Sequence, residues 1–356
     1  MTFAISIPPV NREAARAARE RIDNLTKPVG SLGRIEELAE RLSAIAGGLP
    51  STNYERRAIL IGAGDHGVTE ELVSAYPSEV TLQMVGGFLG QLAAINAFAR
   101  MARAEVFVAN FGVAGDLPQH DRLIDVAVAR GTRNFVREPA MELAHVDRAL
   151  LSGMRAFAAI RERVPVEIFA IGEMGIGNTT SAAALVCALS GAAPEDVVGR
   201  GTGINDETLR RKMVAVQSGV TRCAGADWRI CASEVGGYEI VGLAGAMLAA
   251  AQERIPVVLD GFIVGAAAML ASRIEPAVLD YCIASHRSRE LGHALVLREL
   301  GLQPLLDLDL RLGEASGAAL ALPLIEAAAR MIREMRTFSE LGVSAAHASG
   351  AETARA

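Results

Sequence analysis

Cysteine and aromatic residues are both scarce in this chain, and the cysteine count excludes whole classes of protein. Four cysteines occur among 356 residues, and no two of them have the C-x-x-C spacing that marks many zinc sites. Four scattered cysteines also argue against a disulfide framework, because buried thiols of a reducing compartment explain them better. The cysteines therefore predict neither a metal site nor disulfide bonds.

Long hydrophobic runs and an excess of charge are missing as well. The longest apolar runs, residues 240–251 and 261–272, are about a dozen residues each, whereas a membrane helix needs about 20. Pro8 and Pro9 stand near the N-terminus without a long apolar region, so no signal peptide is predicted. A net charge of −6 argues against nucleic acid as a main partner. We therefore expect a soluble cytoplasmic protein that binds neither nucleic acid nor membrane.

The hydrophobic pattern alternates between strands and helices. Short apolar runs rich in β-branched residues predict buried strands, and each is followed by a polar turn and a longer helical period. The runs begin at residue 58 and continue at residues 105–110, 125–129, 166–171, 255–259 and 278–284. Such alternation is typical of a parallel sheet with helices on both faces. The predicted fold is α/β, a Rossmann-like three-layer αβα arrangement.

Both ends of the chain differ from this middle part. Amphipathic helices are predicted at residues 11–26 and 35–45, and another at residues 318–338, with polar turns between them. We expect these helices to form a small helical lobe from residues 1–48 plus 318–356. Residues 49–317 then form the large α/β domain.

The stretch at residues 173–181 is the most informative one, because a strand, a glycine-rich turn and a helix follow one another there. A helix N-terminus with free N–H groups suits an anion, most often a phosphate. A P-loop would require Lys where Asn178 stands, and a dinucleotide fingerprint would require Gly where Thr180 stands. A kinase or triphosphatase is therefore disfavoured, while an ordinary tight turn that needs glycine remains an alternative.

Three further polar features have both a functional and a structural interpretation. Asp65-His66 follows a strand end, where open α/β folds bind ligands, but the pair can equally hold a loop. Lys212 lies in a helix after the glycine cluster at residues 199–203, and it is either an anion ligand or a solvated lysine. Glu314 stands between glycines at a helix start, where it is either a reactive carboxylate or a helix cap.

Six motifs in one order carry a resemblance to a known family. They lie at residues 27–33, 64–68, 173–180, 199–203, 285–288 and 313–317, the last reading Gly-Glu-x-x-Gly. In this order they resemble the nicotinate-nucleotide–dimethylbenzimidazole phosphoribosyltransferases of cobalamin lower-ligand synthesis. The resemblance covers residues 27–343, nearly the whole chain.

The resemblance implies a fold and an activity. It implies a six-stranded parallel sheet, a small lobe built from both chain ends, and a homodimer. The implied reaction moves the 5-phosphoribosyl group of nicotinate mononucleotide to dimethylbenzimidazole, with inversion at C1′, and needs no cofactor or metal. The acceptor is left open among dimethylbenzimidazole, another benzimidazole, adenine and a phenol, and a non-catalytic nucleotide-binding relative is the alternative from another class.

The resemblance also implies three groups of site residues. The implied catalytic carboxylates are Glu314, as the base that takes the acceptor's proton, and Glu173. The implied phosphate and nucleotide ligands are Gly175, Gly177, Asn178, Gly203, Lys212 and Ser288. The implied walls of the acceptor pocket are Tyr76, Pro77, Gln83, Met84 and Met174.

Overall fold

A computed structural model describes residues 5–201 and 203–344 of the chain. Its centre is a six-stranded sheet in which every neighbouring pair of strands is parallel. The strands are β1 Arg57–Gly64, β2 Ala104–Gly112, β3 Leu123–Asp125, β4 Ile168–Met174, β5 Val257–Leu259 and β6 Cys282–Ala284. Helices cover both faces, so the predicted α/β class is confirmed.

The strand order β3-β2-β1-β4-β5-β6 places the functional turns side by side. The chain builds outward from β1 to β3 and then returns to β4 on the other side of β1. Open parallel sheets bind ligands at such a switch point, beyond the carboxyl ends of the strands. The register pairs Gly62 with Glu173 and Ala63 with Met174, so the end of β4 lies at this point. Every residue of β1 and β4 is buried, which explains their continuous apolar sequences.

Fourteen α-helices are found in the described residues. They are α1 Arg12–Asp23, α2 Arg34–Ala46, α3 Glu79–Leu89, α4 Ala94–Met101, α5 Leu143–Arg163, α6 Asn178–Ser190, α7 Pro194–Val197, α8 Asp206–Arg222, α9 Trp228–Val235, α10 Tyr238–Gln252, α11 Phe262–Ile274, α12 His293–Glu299, α13 Ser316–Glu334 and α14 Phe338–Leu341. Short 3-10 helices occur at Gly67–Glu71 and Pro276–Tyr281. Helices α10 and α11 are rich in Ala and Gly and are almost entirely buried.

The chain divides into two compact units. The larger comprises Glu55–Pro323 with the segment that ends at Pro9, and it holds the sheet. The smaller comprises Val10–Tyr54 with the segment that begins at Leu324, and within it α1 packs against α2. In this unit Arg21 donates hydrogen bonds to the carbonyl oxygens of Ile332 and Met335, at 3.0 and 3.1 Å. Residues 1–4 and 345–356 of the predicted lobe lie outside the described residues.

Two predicted strands differ from the observed ones. Regular pairing of β3 ends at Asp125 rather than starting there, and the Asn110 amide donates to its carboxylate at 2.9 Å. The predicted strand at residues 278–284 is shortened to β6 because a 3-10 helix occupies Pro276–Tyr281. Pro276 fixes the backbone at the start of that helix, and Glu275 caps it by accepting from the Ala277 N–H at 3.2 Å.

One stretch, Glu79–Met101, is long and apolar enough to cross a membrane by length and composition alone. It includes α3, the turn after it and α4, and 33% of its apolar window is buried. A single stretch of this kind is weak evidence, because packed helices of globular proteins meet the same criterion.

Candidate active site

A cavity of about 410 Å³ lies beyond the carboxyl ends of the central strands. Six segments of the large unit form its wall: the end of β4 with the turn to α6, α3 with the loop before it, the glycine cluster at Gly201, the start of α11, the segment after β6 and the segment before α13. The lining residues are Tyr76, Val80, Met84, Glu173, Met174, Gly175, Ile176, Asn178, Thr179, Gly201, Gly261, Phe262, Ile263, His286, Ser288, Glu290, Arg311, Leu312, Gly313 and Glu314. The cavity therefore gathers most of the residues singled out from the sequence.

The β4–α6 turn confirms the strand–turn–helix prediction. Gly177 has φ +92° and precedes the first helical residue, Asn178, whose N–H donates to the Gly175 carbonyl at 3.0 Å. A side chain at Gly175 would place its Cβ 2.3 Å from the Gly64 carbonyl oxygen, so only glycine fits there. The Ile176 N–H is held by the Thr81 hydroxyl at 3.0 Å. The turn is thus fixed against the end of β1 and against α3.

Lys212 is buried beside the β4–α6 turn, so the solvated-lysine alternative is wrong. Its Nζ donates to the Thr179 hydroxyl at 2.9 Å and to the Gly199 carbonyl at 3.2 Å. A small cavity of about 40 Å³ lies between Lys212, Gly201 and the β4–α6 turn. Burial lowers the pKa of Lys212 to about 8, and the nearby Glu290 opposes this shift. A buried ammonium beside a helix N-terminus is suited to an anion.

Glu173 is the last residue but one of β4, and its carboxyl group is enclosed. The Asn178 amide donates to its Oε2, so the side chain of Asn178 is directed toward Glu173. Gly313 passes so close that a Cβ there would lie 2.4 Å from Oε1. Burial, followed by the charge of Asp260, raises the pKa of Glu173 to about 8. At neutral pH this carboxyl group therefore carries a proton in much of the population.

Glu314 occupies a strained turn immediately before α13. It has φ +60°, as does Ala315, a left-handed conformation that costs about 1–3 kcal/mol for a non-glycine residue. Ala315 packs onto β4, since a Cβ at Gly172 would lie 2.1 Å from the Ala315 nitrogen. The Glu314 side chain is buried, and burial together with the charge of Asp260 raises its pKa to about 7. A carboxyl group that lines a cavity and has a pKa near 7 suits acid–base chemistry.

The helix-cap alternative for Glu314 is wrong. Asp260 accepts the N–H groups of Gly317 and Ala318, at 2.9 and 3.1 Å, and so caps α13 in its place. This role was not predicted, although Asp260 directly follows a predicted strand. Only the approach of residues distant in sequence reveals it.

The apolar wall contains three of the five residues predicted for it. Tyr76, Met84 and Met174 line the cavity, whereas Pro77 and Gln83 are exposed and are not among the lining residues. Gln83 is exposed, whereas Val80 and Met84 of α3, which are four residues apart on one side of the helix, line the cavity.

Comparison with known proteins shows which family the chain belongs to. The family model described as "Phosphoribosyltransferase" matches residues 7–343. Nicotinate-nucleotide–dimethylbenzimidazole phosphoribosyltransferase of Chloroflexus aggregans is 48% identical over 341 residues, which is 95% of this chain and 96% of that protein. The same-named protein of Thermus thermophilus is 50% identical over 334 residues, 93% of this chain and 98% of that protein. This chain belongs to that phosphoribosyltransferase family.

Solved structures agree as well. The crystal structure of the Thermus thermophilus enzyme superposes with a TM-score of 0.90 at 48% identity, covering 94% of this chain and 100% of that one. A second crystal structure from that organism, named CobT, gives 0.91 at 49% identity with the same coverage. The family assignment made from six motifs is therefore confirmed.

Ser288 and Gly203, both expected at the phosphate site of this phosphoribosyltransferase, lie in two different cavities. Ser288 lines the main cavity, and its N–H donates to His293 Nδ1 at 2.9 Å. Gly203 does not line it and lies instead in an adjoining depression with Arg200, Arg289 and Arg311. Its neighbour Thr202, in the middle of the glycine cluster, lies outside the described residues.

The Asp65-His66 pair supports the loop interpretation. His66 Nε2 lies 2.7 Å from Glu239 Oε1, and both side chains are fully buried. Asp65 accepts the Ala114 N–H at 2.8 Å. Neither residue lines the cavity, but the His66 ring lies directly beneath Gly175. The pair therefore packs against the β4–α6 turn at Gly175 and helps to hold it in place.

Two charged residues of the cavity wall were missed from the sequence. Arg311 lines the cavity, and its guanidinium donates weakly to the Gly201 carbonyl at 3.4 Å. Glu290 also lines the cavity, and its charge acts on Lys212. Over residues 5–201 and 203–344, no group of three or more His, Cys, Asp or Glu residues is arranged to hold a metal ion.

Proposed function

We propose that this protein transfers the 5-phosphoribosyl group of nicotinate mononucleotide to dimethylbenzimidazole or a related aromatic base. The products are the α-riboside phosphate of that base and nicotinate. One observation carries the proposal: two buried carboxyl groups with raised pKa values, Glu173 and Glu314, line a cavity that has an apolar wall and adjoins a small cationic corner beside Lys212. The family relationship supports the same activity.

The cationic corner suits the donor's phosphate. The first residues of α6 and the Lys212 ammonium meet at the small cavity beside Gly175, Gly177 and Gly201. A phosphate there gains from the helix N-terminus and from a desolvated positive charge. An ionised Glu173 would repel that phosphate, so the side chain is expected to face the ribose hydroxyl groups or the acceptor instead. Its raised pKa keeps it largely protonated at neutral pH, which reduces the repulsion.

The apolar wall suits a flat aromatic acceptor. Met84 and Met174 supply polarizable side chains, and Tyr76 and Phe262 supply rings. Wall shape then sets which base is preferred. One methyl group contributes only ~1–3 kcal/mol of discrimination, so several benzimidazoles and purines are expected to be accepted with graded efficiency.

Glu314 is the proposed general base. The attacking ring nitrogen of the acceptor forms a bond to C1′ as the bond from C1′ to the nicotinate nitrogen breaks. The acceptor then carries a positive charge, and the carboxylate of Glu314 removes its N–H proton. Nicotinate leaves with the electron pair of the broken bond and becomes neutral at its ring nitrogen, so no acid is needed. Attack opposite the leaving ring inverts C1′, and positioning both rings supplies much of the rate.

We also propose that the protein is a cytoplasmic homodimer. Exposed apolar side chains on the large unit support association, since Leu92 is 86% exposed and Leu72 is 65% exposed. All four cysteines are buried, which fits a reducing compartment. Sedimentation of the full chain tests the dimer.

The test of the base is Glu314→Gln, assayed by nicotinate release with saturating nicotinate mononucleotide and dimethylbenzimidazole. The variant should be slower in kcat by about 10²-fold. Glu105→Gln is the matched control, because Glu105 lies at the amino end of β2, at the opposite edge of the sheet, and is half-exposed. Equal rates for the wild type and Glu314→Gln would remove Glu314 from the chemistry.

A further inference from the structure

Asp260 is a deeply buried carboxylate near the cavity for which the proposed chemistry has no use. It follows β5 directly, and its side chain is buried without lining the cavity. Its N–H donates to the Ile171 carbonyl of β4 at 3.3 Å. The carbonyl of Leu259, the residue before it, accepts the N–H of Ser285, which follows β6, at 3.0 Å. Asp260 is therefore anchored on both sides to the rigid end of the sheet.

We infer that Asp260 is a positioning residue, which holds Glu314 in the cavity by fixing the first turn of α13. The inference rests on the proposed transfer and goes beyond it, because it assigns a role to a residue that touches neither substrate. Asp260 Oδ1 accepts two successive N–H groups, from Gly317 at 2.9 Å and Ala318 at 3.1 Å. One oxygen thus ties the start of α13 to β5.

The turn before α13 needs such a tie. Glu314 and Ala315 both have φ near +60°, and two successive left-handed non-glycine residues persist only when their surroundings hold them. On one side Ala315 is pressed against Gly172 of β4. On the other side the helix start is held by Asp260. Without the second tie, the turn is free to relax, and the Glu314 carboxyl group leaves the position where it meets the acceptor.

The groups that surround Asp260 determine what its charge does. From the segment after β6 comes His286, whose Nδ1 lies 3.7 Å from Oδ1 and 2.9 Å from the Ser285 hydroxyl. Glu173 of β4 and Glu314 of the turn are close enough for the charge of Asp260 to act on them, and Glu239 of α10 acts on Glu173. Burial raises the pKa of Asp260, while His286 and the backbone N–H groups oppose the rise. A negative charge on Asp260 makes both glutamates harder to ionise, which is the second consequence of its position.

Three variants separate these effects. Asp260→Ala removes the acceptor and the charge, whereas Asp260→Asn keeps an oxygen that can accept both N–H groups and removes only the charge. Asp227→Asn is the matched control, because Asp227 caps α9 by accepting the Ile230 N–H at 2.9 Å in the same manner. The assay is steady-state nicotinate release by the full chain, and wild-type turnover in it tests the proposed function separately.

The expected result is a loss in kcat and not in donor binding. Asp260→Ala should lower kcat at least ten-fold with the KM for nicotinate mononucleotide within about two-fold, because the phosphate corner is untouched. Asp260→Asn should lower kcat by less than Asp260→Ala does. It should also move the acidic limb of the pH–rate profile to lower pH. In the Glu314→Gln background, neither substitution should lower kcat further, since residues that act as a unit are not additive. Asp227→Asn should change none of these quantities.

Two results would overturn the two parts of the inference, the first the positioning role and the second the effect of the charge. If Asp260→Ala slows the Glu314→Gln protein by the same factor as the wild type, Asp260 does not act through Glu314. If Asp260→Asn leaves the carbon-13 titration of the Glu314 carboxyl group unchanged, its charge does not reach that residue. The second measurement needs no turnover, so it stands even if the transfer itself is not observed. Should Asp260→Ala fail to fold, Asp260→Ser takes its place, because the serine hydroxyl is one atom too short to accept both N–H groups.

Discussion

The raised pKa of Glu314 has a direct consequence for the pH dependence of the reaction. Burial and the charge of Asp260 raise the pKa of Glu314 to about 7, whereas an ordinary glutamate has a pKa of 4.5. A general base works only when ionised. The value of kcat/KM for nicotinate mononucleotide, which reports the free enzyme, should therefore fall on the acidic side of about pH 7.

The size of the fall follows from that pKa. With a pKa of about 7, roughly nine-tenths of the Glu314 side chains are ionised at pH 8 and roughly one-tenth at pH 6, a ten-fold loss. An exposed glutamate of ordinary pKa would be almost fully ionised at both values and would give a flat profile. A ten-fold loss against none is well outside the error of steady-state rates.

The assay compares wild type with Glu314→Gln between pH 5.5 and 8.5, with Glu105→Gln as the control. Titration of the acceptor itself affects all three proteins equally, so the difference between profiles isolates Glu314. The wild type and the control should lose an extra ten-fold between pH 8 and pH 6, and the Glu314→Gln profile should lack that loss. Parallel profiles for wild type and Glu314→Gln would refute the reasoning, since the titrating group would then lie elsewhere.

Three further predictions concern other parts of the site. Lys212→Met should raise the KM for nicotinate mononucleotide by at least ten-fold, and Lys212→Arg should extend activity above pH 8, because burial lowers the pKa of Lys212 to about 8; initial rates against donor concentration and pH check both. Met84→Ala should raise the KM for dimethylbenzimidazole, whereas Gln83→Ala at an exposed position of α3 should not, as measured with acceptor titrations. Burial raises the pKa of Glu173 to about 8, so the folded state holds this proton more tightly than the unfolded state. The stabilisation is complete below about pH 4.5 and is lost as the pH rises through about 8; melting curves should therefore show a smaller fall in Tm from pH 5.5 to 8.5 for Glu173→Gln than for wild type.

The sheet was predictable because its central strands are buried on both faces. In β1, β2 and β4 nearly every residue is apolar, so the run itself marks the strand. The short edge-side strands β3 and β6 were misplaced because local features compete there. Pro276 and Glu275 favour a 3-10 helix over the first part of the predicted β6.

The site was predictable where a motif has its own mechanism. The glycine turn at the end of β4 predicts a helix N-terminus. The same strand places Glu173 beside that turn. Lys212 could not be separated from a surface lysine, because its burial depends on packing against Thr179 and Gly199, which precede it by many residues. Asp260 and Gly317 meet only in the folded chain, and no spacing announces that contact. Gln83 was named for the acceptor wall from the resemblance, but it is exposed, whereas Val80 and Met84 line the cavity; which residues of α3 face the cavity depends on how the helix packs.

The measurement that tests the central claim most directly follows nicotinate and riboside together. Nicotinate mononucleotide is incubated with the protein, with and without dimethylbenzimidazole, and the products are separated and identified by NMR. We expect nicotinate release only when the base is present, with one equivalent of the riboside phosphate in the α configuration for each nicotinate. Nicotinate release at the same rate without the base would indicate hydrolysis, and a β-configured product would contradict the proposed inversion.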